Sequence, residues 1–335
     1  EKYPEFIPFC ENSKVYVIAE IGINHEGSIS RCKKLIKLAK QSDADAVKIQ
    51  LSNPELNYSK KIKSFKLYKK SLLTPDQISK IYKFAKKLNL EIFATIDQSY
   101  LDLVKKLKQR IFKISSSLNR DIFFIEKLSK LNFPILISTG MSSLNEIKQL
   151  SDYLKKKTKN NKIIFMHAVS LYPPNLKSIN LDRIQVIKKK IKCLVGYSDH
   201  YPGPYASIMS IMYGAKIIEK HFTDDVNRKG YDHNISSTAK ELKYIIKEIR
   251  IFEKFLILKN DLKIFENQKI ISQKRDYILN KYIKKNERIT KEDINTIRTG
   301  KDKKNLSIIE LLKILNKRSK KNLKKFSILK ISDFK

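Results

Sequence analysis

Eight short runs of apolar and β-branched residues punctuate the chain, at 15–20, 46–50, 91–95, 111–114, 134–138, 163–167, 193–198 and 216–221. Each has the length of a buried strand, and each is followed by a longer stretch with apolar positions at helical spacing. Those stretches lie near 30–42, 76–88, 99–108, 121–131, 143–157, 180–190, 204–213 and 238–257. Two carry explicit start signals. Thr74-Pro75 sets a cap before a proline at the first helical position, and Ser143 with Glu146 three residues on forms a capping box. Strands and helices alternating eight times predict an α/β fold, a parallel sheet closed into a (β/α)8 TIM barrel.

The alternation fades near 258. A barrel domain over 1–260, a linker at 261–274 and a smaller domain at 275–335 are expected. The last segment echoes itself: Ile283-Lys284-Lys285 and the stretch from Ile289 to Asp293-Ile294 correspond to Leu323-Lys324-Lys325 and the stretch from Leu329 to Asp333-Phe334. Two similar strand-turn pieces around a helix at 307–316 predict a compact β-rich module of about 60 residues. Its few large apolar side chains imply that it docks on something else.

Barrel enzymes carry their chemistry where the strands end. In order, the runs close on Glu20, Lys48 with Gln50, Thr95, Lys113, Ser138, His167, Ser198-Asp199-His200 and Glu219-Lys220-His221. Converging on one face, these groups would build a polar pocket. Lys48 and Lys113 finish buried strands, where an unpaired ammonium is costly. A bound phosphate or carboxylate would compensate them, helped by the hydroxyls of Ser116, Ser138 and Ser198. The alternative is an ion pair with Glu20 or Glu219. His200 and His221 end neighbouring strands, and two imidazoles with nearby oxygens suit a hexacoordinate divalent ion such as Mn²⁺; the alternative is a structural role. Glu20, placed across the ring from the histidines, is available as a general base or as an anchor for a substrate hydroxyl.

Composition narrows the classes. Hydrophobic residues at 41% and aromatics at 10% of 335 positions are enough for a core and exclude global disorder. Lys and Arg total 70 against 34 Asp and Glu, a formal charge of +36. That excess is spread along most helices rather than gathered in an arm, so no nucleic-acid partner is expected and small anionic substrates are favoured. Cys10, Cys32 and Cys193 are far apart and lack metal-ligand spacing, reading as small apolar residues of a reducing compartment. No apolar run reaches membrane-spanning length and no signal pattern opens the chain, so a cytoplasmic protein without a membrane partner is expected.

Five segments together resemble a known family. Ala19-Glu20-Ile21-Gly22-Ile23-Asn24-His25-Glu26-Gly27-Ser28, Ala44-Asp45-Ala46-Val47-Lys48-Ile49-Gln50, Ile137-Ser138-Thr139-Gly140-Met141, Ser198-Asp199-His200 and Ile218-Glu219-Lys220-His221-Phe222-Thr223 resemble, in order and spacing, the motifs of bacterial N-acetylneuraminate (sialic acid) synthases. The segment from about 275 resembles the antifreeze-like (SAF, β-clip) domain of those enzymes. The resemblance implies a transferase that condenses phosphoenolpyruvate with an open-chain N-acetylated hexosamine, giving a nine-carbon 2-keto acid and phosphate with Mn²⁺, or Mg²⁺ or Co²⁺. Carried over by position, Lys48, Thr95, Lys113, Ser116, Ser138 and Ser198 would hold phosphoenolpyruvate, and His200 and His221 the metal. Glu20, Gln50, Tyr172 and Asp232 would face the reacting centre. Asp232 and Arg298 would meet the sugar, Arg298 reaching into the partner of a domain-swapped homodimer.

The sugar side departs from the family pattern. No acid follows Lys113 in Ile114-Ser115-Ser116-Ser117-Leu118-Asn119, Ser170 replaces an asparagine, Thr95 precedes Ile96-Asp97-Gln98, and Arg298 precedes Thr299. The acceptors the resemblance implies are N-acetylmannosamine or a di-N-acetylated relative, the latter giving legionaminic or pseudaminic acid, and these departures leave the choice among them open. The rivals are another phosphoenolpyruvate aldol synthase and, in a different class, a basic nucleic-acid-binding protein on an inactive barrel.

Overall fold

The computed structural model describes residues 9–11, 13–158, 162–256, 274–300 and 306–335. The chain divides into two compact units, 1–257 and 258–335. Of the linker expected at 261–274, all but Lys274 lies outside the described residues.

In the first unit eight parallel strands close a barrel in sequence order. They are β1 (Tyr16–Gly22), β2 (Ala46–Leu51), β3 (Glu91–Ile96), β4 (Phe112–Ile114), β5 (Ile135–Ser138), β6 (Ile163–Ala168), β7 (Val195–Asp199) and β8 (Ile217–His221). The principal outer helices are α1 (Ile29–Gln41), α4 (Pro75–Lys87), α5 (Leu101–Lys106), α6 (Ile122–Ser129), α7 (Leu144–Lys157), α9 (Asp182–Ile191), α10 (Tyr205–Ser210) and α11 (Ala239–Leu256). Three short helices were not expected: α2 (Pro54–Asn57) and α3 (Lys63–Lys70) between β2 and α4, and α8 (Leu176–Ile179). Both start signals are used. The Thr74 hydroxyl accepts from the Gln77 amide, and Ser143 accepts from the Glu146 amide, each with the reciprocal side-chain bond. Helix α1 buries Cys32, Leu35, Ile36 and Ala39, one face at helical spacing, against the outside of the sheet.

The two-residue period of a strand sorts the rest. The inside of the barrel is filled by Tyr16, Ile18, Ala46, Phe93, Ile111, Leu136, Ile164, Met166 and Ile217. Two residues on from these plugs, on the same inward face, come Glu20, Lys48, Thr95, Lys113, Ser138 and Glu219, and two further come Gln50 and His221. A packed floor thus carries a polar layer at the C-terminal mouth.

The same period overturns two expectations. On β6 the inward residue is Met166, so His167 points outward, where its Nε2 donates to the Ile179 carbonyl at 2.8 Å. It is structural. Closure also pairs β1 with β8, in register Glu20 with His221, so Glu20 stands beside this histidine rather than across the ring.

The second unit bears out its internal echo bond by bond. Ile283 and Leu323 exchange both backbone hydrogen bonds, at 2.9 and 2.8 Å. The Leu279 amide donates to the Ser327 carbonyl (3.1 Å), and the Ser319 amide repeats this toward Glu287 (2.9 Å). Asn286 and Phe326 occupy equivalent left-handed turns, φ 68° and 67°. Strands β9 (Arg275–Leu279) and β10 (Ile294–Arg298) pair antiparallel, and α12 (Ile308–Ile314) joins the halves. Leu279, Ile283, Ile289, Ile314, Leu323, Leu329 and Phe334 form its small core.

Candidate active site

A cavity of about 410 Å³ opens at the barrel mouth. Glu20, Lys48, Gln50, Thr95, Lys113, Ser116, Ser138, Tyr172, Ser198, His200, His221 and Asp232 all line it, so the structure brings together every barrel residue that the resemblance assigned to substrate, metal or catalysis. The strand-end residues His167, Asp199 and Lys220 are not among its lining. Arg298 belongs to the second unit, exposed at the end of β10.

On the floor two lysines and two glutamates interlock. Lys48 Nζ lies 2.8 Å from Glu20 Oε1 and 3.7 Å from Glu219 Oε2, and donates to Thr95 Oγ1 at 2.7 Å. Lys113 Nζ lies 3.0 Å from Glu219 Oε1, to which Ser198 also donates at 2.8 Å. The ion-pair alternative is thus what the structure shows for both lysines, while both still line the cavity. Two cations and two anions balance, which lets four charges share a desolvated floor. Burial pushes Glu20 up to about 7, against the pull of Lys48 and with the help of the Glu219 charge. Burial also opposes ionisation of Glu219, yet Lys113 and Lys48 outweigh it and hold this carboxyl below its usual range. Glu20 Oε2 and Glu219 Oε2 are buried without a hydrogen-bond partner among the described residues.

The histidines stand above this floor, ring centroids 5.2 Å apart. His200 Nδ1 donates to the Val169 carbonyl at 2.7 Å, which fixes the tautomer and leaves the Nε2 lone pair free to accept from Tyr172 at 3.3 Å. Tyr172 stacks on the same ring, centroids 4.3 Å apart. His221 Nδ1 is buried without a hydrogen-bond partner among the described residues, 3.7 Å from Asp232 Oδ2. Burial holds both imidazoles below their usual pKa, hence neutral, the form a metal requires. Among the described residues no cluster of three or more His, Cys, Asp or Glu forms a ready-made cage. Two neutral imidazoles are the donors a divalent ion would find here, and its other positions would fall to water or substrate oxygens.

The strand tips are held from outside. Asp199 and Lys220, outward on β7 and β8 and wholly buried, form a 3.0 Å ion pair. Asp199 also accepts from Ser207 (2.6 Å), the Tyr201 amide (2.9 Å) and Tyr197 (3.2 Å).

On the far wall Ser116 Oγ accepts from the Gly140 amide at 3.0 Å. A Cβ at position 140 would lie 2.4 Å from Ser170 Oγ and 2.9 Å from Ser116 Oγ, so a side chain there would have to displace both hydroxyls.

The NeuB family profile matches residues 35–260. The chain belongs to the NeuB family. It is 35% identical to an uncharacterised protein of Methanocaldococcus jannaschii, over 90% of each chain. It is 32% identical to the N,N'-diacetyllegionaminic acid synthase of Campylobacter jejuni, over 95% of this chain and 99% of that one. Among solved structures, N-acetylneuraminic acid (sialic acid) synthetase from Leptospira borgpetersenii in complex with citrate superposes with a TM-score of 0.72 at 30% identity, covering 78% of this chain and 94% of that one. No helix among the described residues is long and apolar enough to cross a membrane.

Sequence reasoning missed part of the wall of this NeuB-family site. Tyr58 and Tyr68 line the cavity as a stacked pair, centroids 4.7 Å apart, from the α2–α3 excursion. Ser115, Ser117, Ser170 and Tyr231 line it as well. Tyr58 closes α2 and Tyr68 lies within α3, helices too short to leave a clear periodic signal, and nothing in the local pattern marks them.

Proposed function

We propose that the protein is a nonulosonic acid synthase, joining phosphoenolpyruvate to the open-chain aldehyde of an N-acetylated hexosamine with release of phosphate. The observation that carries this reading is the convergence, in a NeuB-family barrel, of two buried lysines and a paired imidazole set on one cavity. Lys48, Lys113, Thr95, Ser116, Ser138 and Ser198 supply ammonium and hydroxyl donors for a phosphate and a carboxylate. His200 and His221 would hold the divalent ion, Mn²⁺ by the resemblance to the sialic acid synthases, with Mg²⁺ or Co²⁺ as alternatives. When bound, the ion supplies Lewis acidity toward the aldehyde oxygen.

Carbon 3 of phosphoenolpyruvate attacks the aldehyde carbon, positive charge develops at carbon 2, water adds there, and phosphate leaves. Glu20, beside Lys48 on the floor, is suited to stabilise that charge or to orient the water. Gln50, Tyr172 and Asp232 orient the sugar. The likeness to a diacetyllegionaminic acid synthase along nearly the whole chain supports a mono- or di-N-acetylated acceptor. The second unit is read as the antifreeze-like domain of a swapped homodimer, with Arg298 donating its planar fork to the acyl carbonyl in the partner's barrel.

The test is phosphate release from phosphoenolpyruvate with Mn²⁺ and a panel of mono- and di-N-acylated hexosamines. Turnover with at least one sugar, abolished by excess chelator and restored by Mn²⁺, is expected. Full turnover in chelator removes the metal assignment, and no release with any sugar removes the reading.

A further inference from the structure

The segment Ile23-Asn24-His25-Glu26 follows β1 but supplies none of the groups assigned above. What it touches is the excursion between β8 and α11, which carries Tyr231 and Asp232 to the cavity. That excursion passes through Gly230 and Tyr231 with φ 83° and 54°. The second is a left-handed conformation that a side chain disfavours, so the loop must be held from elsewhere.

Asn24 holds it. Its Oδ1 accepts the Asp232 amide at 3.1 Å, and its Nδ2 donates to Ser236 Oγ at 3.0 Å and to the Phe222 carbonyl at 3.1 Å. Ser236 Oγ donates in turn to the Asp232 carbonyl at 2.6 Å. Both backbone polar groups of Asp232 are therefore fixed by side chains, and one fully buried amide ties them to the end of β8. A second link lies alongside: His233 Nε2 meets Glu26 Oε1 at 3.1 Å and its Nδ1 meets Thr223 Oγ1 at 2.7 Å. The aim of this latch is the Asp232 carboxylate, which stands 3.7 Å from His221 Nδ1. A Cβ added at Gly22 would lie 3.2 Å from Glu20 Oε1 and 3.9 Å from Asp232 Oδ2, so both carboxylates border the same point beside Gly22.

We infer that Asn24, acting with Ser236, is a positioning residue that sets where the Asp232 carboxylate stands and so governs acceptance of the sugar. It rests on the proposed function for the identity of the substrate, and on the hydrogen bonds alone for the latch. Lys48, Lys113 and Ser198 are held by Glu20, Glu219 and Thr95, so phosphoenolpyruvate binding does not depend on Asn24.

The experiment compares Asn24→Ala, Ser236→Ala and Ser236→Thr in the full chain, by steady-state kinetics and by amide exchange. The KM for the sugar should rise about tenfold in the two alanine variants, with the phosphoenolpyruvate KM within about twofold of wild type. Ser236→Thr, which keeps the hydroxyl, should restore the sugar KM. Amides of 228–236 should exchange faster in both alanine variants while those of β2 and β4 keep their protection. Equal rises in both KM values, or an unchanged sugar KM with only a lower Tm, would make Asn24 general glue and overturn the inference. If Asn24→Ala does not fold, Ser236→Ala decides by the same criteria. Exchange is read whether or not any sugar is turned over. A wild-type chain inert toward every sugar would sink the functional reading, and unchanged protection of 228–236 would separately sink the latch.

Discussion

The floor of the cavity is decided by four residues. Lys113 is buried at 3% exposure with Glu219 Oε1 at 3.0 Å, and burial alone would push its ammonium toward neutrality. Glu219 opposes that push, and the pair is what an incoming phosphate would have to share. Lys113→Met therefore has two expected effects. Thermal or denaturant unfolding should show a loss of about 3–5 kcal/mol, the cost of leaving one partner of a buried pair uncompensated. The KM for phosphoenolpyruvate should rise by about tenfold or more, a charge-assisted contact being worth about 1.5–3 kcal/mol. Adding Glu219→Gln should recover stability without recovering binding. A single variant with wild-type melting and wild-type KM would show that the lysine serves neither purpose.

One element up, alternation along a strand assigns each residue its duty. On β8, Glu219 and His221 face the mouth while Lys220 between them faces out to Asp199 on β7. The pair pins the tips that carry His200 and His221, so Lys220→Met should destabilise the barrel by about 3–5 kcal/mol in a denaturant melt. It should also weaken Mn²⁺ binding, measured by titration on the folded protein. Unchanged metal affinity in a folded variant would confine the pair to stability.

The eight strands were legible because apolar runs and capping signals such as Thr74-Pro75 are local, and their polar closures gave the mouth residues. Where inference failed, the missing information was three-dimensional. His167 ends a strand like its neighbours, but only the inward packing of Met166 reveals that it faces out. Glu20 heads the first strand, and only closure puts it next to the last. Tyr58 and Tyr68 reach the site from helices of a few residues, whose position is set by packing and not by propensity.

At the scale of the whole chain, two compact units raise the question of why the smaller one is retained. Its α12 exposes Ile308, Ile309 and Leu312, an apolar face on a unit with a small core. Arg298 is exposed at the end of β10, and it is not among the described core residues of its own unit. The swapped arrangement proposed above makes each active site from one chain's barrel and the other chain's arginine, and this has a sharp consequence. Arg298→Ala chains have a sound barrel and a defective tail, whereas Glu20→Ala chains have the reverse, so each homodimer is inactive with the sugar. After subunit exchange at equal concentrations, half of the dimers are mixed and each mixed dimer holds one site built from two sound halves. Activity should recover to about one quarter of the wild-type sites. If Arg298 instead served the barrel of its own chain, every site in every mixture would still contain a defective half. Mass spectrometry that shows mixed dimers alongside phosphate release at the level of the separate variants would therefore exclude sharing.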